Sequence, residues 1–300
     1  MNSPLSKGAQ KCGPLFLPDR TDTYSKGEEK VNTLTVKDIK DRLQEVKDEQ
    51  DPFLTLCEND PRKSVQTLVE QWLKKQAKEK ALKEQWLNMT SFERLARNKG
   101  FRLIAGVDEV GRGPLAGPVV ASAVILPEEC EILGLTDSKK LSEKKRDEYY
   151  ELIMKEALAV GIGIVEASVI DEINIYEASK VAMVKAIHDL SDTPDYLLVD
   201  AMTLPIGIDQ SSIIKGDAKS VSIAAGACIA KVTRDRMMSA YAKTYPMYGF
   251  EKIKAMGQKS ISKLSPHTAR LNCTAKLSLL FNLPDKSMDK EAPLVNEYKK

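Results

Sequence analysis

Residues 103–126 read LIAGVDEVGRGPLAGPVVASAVIL, which is two apolar runs joined by a polar, glycine-rich turn. The first run has the length and the β-branched composition of a buried strand, and two adjacent carboxylates, Asp108 and Glu109, interrupt it. The second run, from Val119 to Leu126, predicts a returning strand. We therefore expect an antiparallel hairpin. Its two acids are either buried and neutralised by a metal or another cation, or solvated at a strand edge.

The composition excludes several classes of protein. Lysine and arginine number 45 against 43 acids, a formal net charge of +2, so any basic surface for a nucleic acid must be local. The five cysteines include no Cys-x-x-Cys pair, which argues for reduced thiols and against a disulfide framework or a zinc site. The two histidines, His188 and His267, nearly exclude a histidine-centred triad. Because no signal-type or long apolar segment is present, we expect a cytoplasmic protein without a membrane partner.

The part of the chain ahead of the hairpin is predicted to be helical. Residues 1–30 are polar and aperiodic, and we expect them to be a disordered extension, with Val31 as an alternative start. Helices are predicted from Thr35 and from about Arg62 to Leu87. The second helix carries a lysine-rich face that either is simply solvated or holds a nucleic-acid backbone. We interpret residues 31–99 as a helical accessory domain with a basic linker.

Beyond the hairpin, strands and helices are predicted to alternate. Helices are expected up to Ala157, over 171–190 and over 220–241, and strands over 160–165, 196–199 and 211–214. The 196–199 strand ends in a third acid, Asp200, and the last helix, rich in small residues, carries a fourth, Asp235. Ser138 and Lys139 at a helix entrance suit phosphate binding, although taken alone they favour a simple N-cap.

These four acids suggest a common chemistry. Mg²⁺ prefers carboxylate oxygens and keeps several waters. Two such ions about 3.5–4 Å apart activate a water and stabilise the leaving oxygen of a phosphodiester. The glycines on either side of Arg112 would let the backbone approach a sugar, and Arg112 could pair with a phosphate. The scarcity of histidine and of paired cysteine favours this chemistry over zinc or covalent catalysis.

Five segments carry the most specific pattern, in this order along the chain: AGVDEVGRGPLAGPVVASAVIL, TDSKKLSEKKR, LLVDA, KGDAKSVSIAA and KVTRDRMM. Together they closely resemble bacterial ribonuclease HII over about residues 100–252, and the helices ahead of them resemble those of Bacillus-type members. The resemblance implies an α/β fold with an RNase H-like mixed five-stranded sheet flanked by helices, plus a small N-terminal all-helical domain. It also implies a type 2 ribonuclease H. Such an endonuclease cleaves RNA in RNA–DNA hybrids and incises at ribonucleotides embedded in duplex DNA, leaving 5′-phosphate and 3′-hydroxyl ends.

The resemblance also assigns roles to individual residues. It implies that the catalytic acids, which would hold Mg²⁺ or Mn²⁺, are Asp108, Glu109, Asp200 and Asp235. It implies that the ribose 2′-hydroxyl, which distinguishes RNA from DNA, is read by Gly111, Arg112 and Gly113. Contacts to the substrate backbone are expected from Ser138, Lys139 and Lys215. The expected partners are an RNA–DNA hybrid and a DNA duplex that contains ribonucleotides, and no protein partner follows from the sequence.

The resemblance stops after Lys252, where the family continues with a stretch like NKGYGTKEHL. Residues 253–261 instead read IKAMGQKSI. These two stretches are compatible with a single DNA segment read in frames one base apart, at all but one position. We therefore expect residues 253–300 to be a frameshifted tail, the alternative being a genuinely divergent C-terminus. Met256 then stands where the family has a tyrosine expected to stack on a deoxyribose, which implies weak or absent activity.

Three other functions stay open. One is another RNase H-like nuclease, such as a junction resolvase or an exonuclease. The second is a hybrid-binding protein without turnover. The third is a nucleotide-binding module built on residues 111–117, although the Gly-x-x-x-x-Gly-Lys-Ser/Thr pattern of such modules is absent.

Overall fold

The computed structural model describes residues 34–113, 116–244, 246 and 250. The predicted extension over 1–30 and the predicted tail over 253–300, with Met256, lie outside these residues. The chain divides into two compact units within one long helix, between Lys78 and Glu79. In the part of the chain that the structure describes, no helix has both the length and the apolar character needed to span a membrane.

The first unit is helical. It contains α1 (Val36–Glu45), α2 (Pro52–Glu58) and the first turns of α3 (Lys63–Met89). α1 begins after Thr35, as predicted, because the Thr35 hydroxyl accepts a hydrogen bond from the Asp38 N–H and the Asp38 carboxylate accepts one from the Thr35 N–H. Apolar side chains of all three helices form one core, among them Ile39, Phe53 and Trp72. α2 was not predicted, because Asp51-Pro52 suggests a break, although proline suits the first turn of a helix.

The second unit is built on a five-stranded sheet. Its strands are β1 (Ile104–Val110), β2 (Val119–Ile125), β3 (Ala159–Val165), β4 (Tyr196–Asp200) and β5 (Gln210–Ile213). The strand order is β3-β2-β1-β4-β5, with β1 antiparallel to β2 and parallel to β4. The predicted hairpin and the predicted mixed five-stranded sheet are therefore confirmed.

Helices cover both faces of the sheet. They are α4 (Ser91–Asn98), α5 (Glu143–Glu156), α6 (Ala167–Ile173), α7 (Ile175–His188) and α8 (Val221–Thr244). α5, α8 and the end of α3 pack on one face, and α6 and α7 on the other. The predicted single helix over 171–190 is interrupted near its start, because Asn174 has a φ of 69° and separates α6 from α7. Within the segment predicted as a basic linker, Phe92 and Ala96 of α4 pack against the sheet.

α8 lies directly on β1. A Cβ added to Gly106 would overlap the backbone of Ser222. A Cβ added to Gly226 would lie 3.2 Å from the Gly106 carbonyl oxygen and 3.4 Å from the Asp108 nitrogen. The Ser122 hydroxyl also donates a hydrogen bond of 2.9 Å to the Gly226 carbonyl. The two backbones therefore meet without an intervening layer of side chains.

This close contact predicts the effect of a small substitution. Gly106→Ala should lower the free energy of unfolding by about 1–3 kcal/mol, because the added methyl group meets backbone that cannot rotate away. Gly207→Ala is the matched control, since no atom lies within 4 Å of its added Cβ, and its effect should stay within about 0.5 kcal/mol. Urea unfolding of both variants measures the difference, and equal stabilities would contradict the packing of α8 on β1.

Candidate active site

Asp108 and Asp200 lie side by side at one edge of the sheet. β1 and β4 are parallel, and Val107 pairs with Val199. Asp108 and Asp200 are the next residues on the two strands, so they lie next to each other towards the carboxyl ends of the strands. Asp108 is 7% exposed, and its Oδ1 accepts a hydrogen bond of 2.7 Å from the Glu109 N–H. Asp200 Oδ1 accepts one of 2.6 Å from the Gly216 N–H. The strand order thus brings together two acids that are far apart in the sequence.

Glu109 reaches the same edge from the opposite face, because successive residues of a strand point to opposite sides of the sheet. Its Oε1 lies 3.1 Å from Nη1 of Arg112. Its Oε2 is buried and has no hydrogen-bond partner within the described residues. A buried carboxylate oxygen without a partner is costly, and a cation ligand would satisfy it.

The protonation equilibria reflect this crowding. Burial raises the pKa of the Asp108 carboxyl well above its ordinary value, and the neighbouring carboxylates of Glu109, Asp200 and Asp217 raise it further. Burial also raises the pKa of Glu109, although the hydrogen bond and the charge of Arg112 oppose the shift. Buried carboxyl groups that repel one another are stabilised in their ionised form by a nearby positive charge. A divalent cation would supply that charge.

Arg234 fixes α8 against the turn that follows β1. This arginine is fully buried and donates hydrogen bonds of 3.0 Å to the Pro118 carbonyl and 2.8 Å to the Ala116 carbonyl. A Cβ added to Gly111 would lie 2.9 Å from Arg234 Nε. α8 therefore carries its next residue, Asp235, to the same end of the sheet as the other acids.

Asp235 is held by basic side chains. Its Oδ1 lies 2.8 Å from Lys231 Nζ, and its Oδ2 lies 3.8 Å from Arg146 Nη2. Burial lowers the pKa of Lys231, and its hydrogen bond to Asp235 opposes that shift. The described residues contain no group of three or more Asp, Glu, His or Cys side chains already arranged to hold a metal. The structure thus brings three of the predicted acids together and keeps the fourth in ion pairs.

The three residues of the predicted ribose-reading turn differ in what they contact. Gly111 has a φ of 110°, and its added Cβ would lie 2.6 Å from the Pro118 carbonyl oxygen, so the fold itself requires glycine. The Arg112 side chain is 41% exposed and pairs with Glu109. No atom of the described residues lies within 4 Å of a Cβ added to Gly113, so among them the space on that side of the turn is open.

The predicted backbone contacts lie on two neighbouring turns. Ser138 and Lys139 form a 3₁₀ turn that precedes α5, whose own N-cap is Ser142, so they do not stand at the helix entrance as expected. Ser138 is buried and Lys139 is exposed. Lys215 is exposed and has a left-handed backbone, with a φ of 57°. The next residue, Gly216, donates its N–H to Asp200.

Two further acids, Asp137 and Asp217, join the cluster and were missed by the sequence analysis. Burial raises the pKa of Asp217, and Asp137 and Asp200 raise it further, while Lys139 opposes the shift. The loop before α5 and the turn after β5 therefore meet beside Asp200. The available signal was their position inside two of the five quoted segments, TDSKKLSEKKR and KGDAKSVSIAA.

The sheet, with carboxylates at the ends of its adjacent central strands, defines an RNase H-like α/β protein. The chain matches the family model described as Ribonuclease HII over residues 105–267, and the Ribonuclease HII N-terminal domain over residues 35–97. A ribonuclease HII of Bacillus subtilis is 91% identical over 229 residues, which cover 76% of this chain and 90% of that protein. Its counterpart in Bacillus velezensis is 79% identical over 229 residues, with the same coverage of 76% and 90%. The chain belongs to the ribonuclease HII family.

A solved structure, the ribonuclease H2 from Pyrococcus horikoshii OT3, is similar with 29% identity and a TM-score of 0.44, covering 49% of this chain and 78% of that chain. The family match ends at His267, beyond Lys252, where we expected the resemblance to stop. The match therefore runs past the point where we expected the resemblance to stop, and the frameshift itself stays a prediction.

The raised pKa of Asp108 predicts a stabilising substitution. A carboxyl whose folded pKa is raised contributes stability below its unfolded pKa of about 3.9, and that contribution is lost as the pH rises through the folded value. In EDTA at pH 7, Asp108→Asn should therefore increase the free energy of unfolding by about 1–3 kcal/mol. The difference should shrink towards zero near pH 3.5.

Asp171→Asn, which changes an exposed acid on α6, serves as the control and should alter stability by less than about 0.5 kcal/mol. Denaturant unfolding across this pH range measures both effects. A less stable Asp108→Asn protein at pH 7 in EDTA would contradict the charge crowding described above.

Proposed function

We propose that this chain is an endoribonuclease acting on RNA–DNA duplexes. It cleaves the RNA strand of hybrids and incises 5′ of ribonucleotides embedded in duplex DNA, leaving 5′-phosphate and 3′-hydroxyl ends. The observation that carries the proposal is the meeting of Asp108, Glu109 and Asp200 at the ends of β1 and β4, with Asp235 brought to the same end of the sheet by α8. Membership of the ribonuclease HII family supports it.

The acids suit a divalent metal centre. All the candidate donors are carboxylate oxygens, which hard cations prefer, and the buried Glu109 Oε2 has no partner within the described residues. The residues that would hold Mg²⁺ or Mn²⁺ are Asp108, Glu109, Asp200 and Asp235. When two such ions are bound, they supply an activated water and stabilise the leaving oxygen of the phosphodiester.

The remaining residues of the site would bind and orient the substrate. The open space beside Gly113 lets the turn backbone approach a ribose, where a 2′-hydroxyl can be recognised by hydrogen bonding. Arg112 lies beside Glu109 and offers a guanidinium to a phosphate next to the cleaved bond. Lys139 and Lys215 are exposed on the two turns that meet at Asp200, where ammonium groups can bind the sugar–phosphate backbone.

A substrate panel tests the proposed activity. It comprises an RNA–DNA hybrid, a DNA duplex with one embedded ribonucleotide, a plain DNA duplex and a four-way junction. We expect cleavage of the first two only, in the presence of Mg²⁺ or Mn²⁺. Asp108→Asn and Asp200→Asn should each lower the rate by roughly 1000-fold, because a metal ligand is lost, whereas Asp171→Asn should retain it.

The same panel separates the alternatives. Cleavage of plain DNA or of the junction would favour another RNase H-like nuclease. Magnesium-dependent binding of the hybrid without any cleavage would favour a binding protein without turnover. The ion pairs of Asp235 with Lys231 and Arg146 favour the binding protein, because they must break before this acid can bind a metal.

The tail over residues 253–300 is proposed to be frameshifted and to weaken the activity. Replacing it with the corresponding residues of the Bacillus subtilis relative should raise the rate of incision at an embedded ribonucleotide about tenfold or more, since a stacked aromatic ring contributes roughly 1–3 kcal/mol. Equal rates for the chimera and the 300-residue chain would contradict the proposed weakening. Resequencing the gene around the codon for Lys252 tests the frameshift itself, and an unbroken frame unrelated to the family text would reject it.

A further inference from the structure

The guanidinium of Arg146 contacts two parts of the site at once. On α5, its Nη1 donates hydrogen bonds of 2.6 Å to the Leu141 carbonyl and 3.3 Å to the Ser138 carbonyl. Its Nη2 lies 3.8 Å from Asp235 Oδ2 on α8. The Arg146 side chain is only 15% exposed, so these contacts are sheltered from water. One planar group thus joins the backbone of a loop to an acid of the catalytic cluster.

The loop that Arg146 holds, residues 137–141, also meets the turn after β5 through Asp137 and Asp217, and short local bonds close it. The Lys139 N–H donates to Asp137 Oδ1 and the Lys140 N–H to the Asp137 carbonyl, each at 2.9 Å. These bonds shape the turn but do not fix where it stands relative to α8. Lys139 projects from this loop and is exposed. Its distance from the acids therefore depends on what anchors the loop.

α5 is itself a firm base for that anchor. Tyr150 and Ile153 of α5 are buried in the core that includes α8. The Cys228 thiol donates a hydrogen bond of 3.5 Å to the backbone carbonyl of Arg146. Because the backbone of Arg146 is held against α8, the hydrogen bonds of its planar side chain hold the loop at a fixed distance from α8.

We infer that Arg146 is a positioning residue, which holds the 137–141 loop in register with Asp235 and so sets the affinity of Lys139 for a nucleic-acid backbone. The inference rests on the proposed function, because it takes the ligand of the loop to be the RNA–DNA duplex. Lys231 also binds Asp235, at 2.8 Å, so Asp235 keeps a partner when Arg146 is changed. The effect should therefore appear in substrate binding rather than in the rate of the bound complex.

Arg146→Lys is the informative variant. It keeps the positive charge but loses the planar fork that reaches two carbonyls and a carboxylate together. Lys145→Met is the matched control, since it removes a charge at the next position, where the ammonium pairs with Glu148 at 2.6 Å and is 58% exposed. A purely electrostatic effect would appear in the control and not in Arg146→Lys.

Three measurements on the full chain test the inference. Fluorescence anisotropy in EDTA gives the Kd for a hybrid duplex without cleavage, steady-state kinetics separate KM from kcat, and hydrogen exchange reports on the loop. Arg146→Lys should raise Kd and KM about tenfold, with kcat within threefold of wild type. It should also speed exchange of the Lys139 and Lys140 amides, whereas Lys145→Met should leave all three measurements near wild type.

Each contrary outcome has a distinct meaning. Unchanged exchange and unchanged Kd in Arg146→Lys would overturn the inference while leaving the proposed function intact. A parallel fall in kcat and thermal stability, without faster exchange confined to the loop, would show a merely structural role and also overturn it. If the wild-type chain neither bound nor cleaved the hybrid, the proposed function would fail, and with it the role of the loop in binding this duplex.

Discussion

The direct contact between α8 and β1 is the constraint on which the site depends. Ser222 lies over Gly106 and Arg234 lies over Gly111, so the helix and the strand run in the same direction for the whole length of β1. Side chains at Gly106 or Gly226 would force the helix away from the sheet, because protein interiors leave no slack for such a layer. The helix would then carry Asp235 away from the edge where Asp108 and Asp200 end their strands. The absence of side chains at Gly106 and Gly226 therefore places Asp235 at the same end of the sheet as the other three acids.

The same geometry places several carboxylates close together, and hydrogen-bond donors and basic side chains compensate part of their charge. Buried carboxylates repel one another, and burial without compensation is costly. Arg112 pairs with one oxygen of Glu109, the Gly216 N–H with Asp200, and Lys231 with Asp235. Arg112 leaves the buried Oε2 of Glu109 without a partner among the described residues, whereas Lys231 and Arg146 contact one oxygen each of Asp235.

Local patterns in the sequence were sufficient for some parts of this arrangement. The β-branched runs on either side of a glycine turn indicated the hairpin, and the small residues of the last helix indicated close packing on a sheet. The pairing of Lys231 with Asp235 also follows from helical spacing. The meeting of Asp137 with Asp217, and the reach of Arg146 to Asp235, depend on strand order and on packing between helices distant in the chain. No local periodicity encodes such contacts.

α4, which lies in a segment predicted to be a linker, helps to position the site. Three of its eight residues are charged, and one of them, Glu93, is only 2% exposed. Glu93 Oε1 accepts a hydrogen bond of 2.6 Å from the Ser220 hydroxyl and one of 3.0 Å from the Ser222 N–H. This carboxylate satisfies the first turn of α8, where the helix dipole favours a negative charge. Because Arg234 fixes the middle of the same helix through the Ala116 and Pro118 carbonyls, buried charged side chains hold α8 both at its first turn and near its middle. The position of Asp235 along the helix axis is thus determined partly by a residue outside the RNase H-like sheet and its connecting loops.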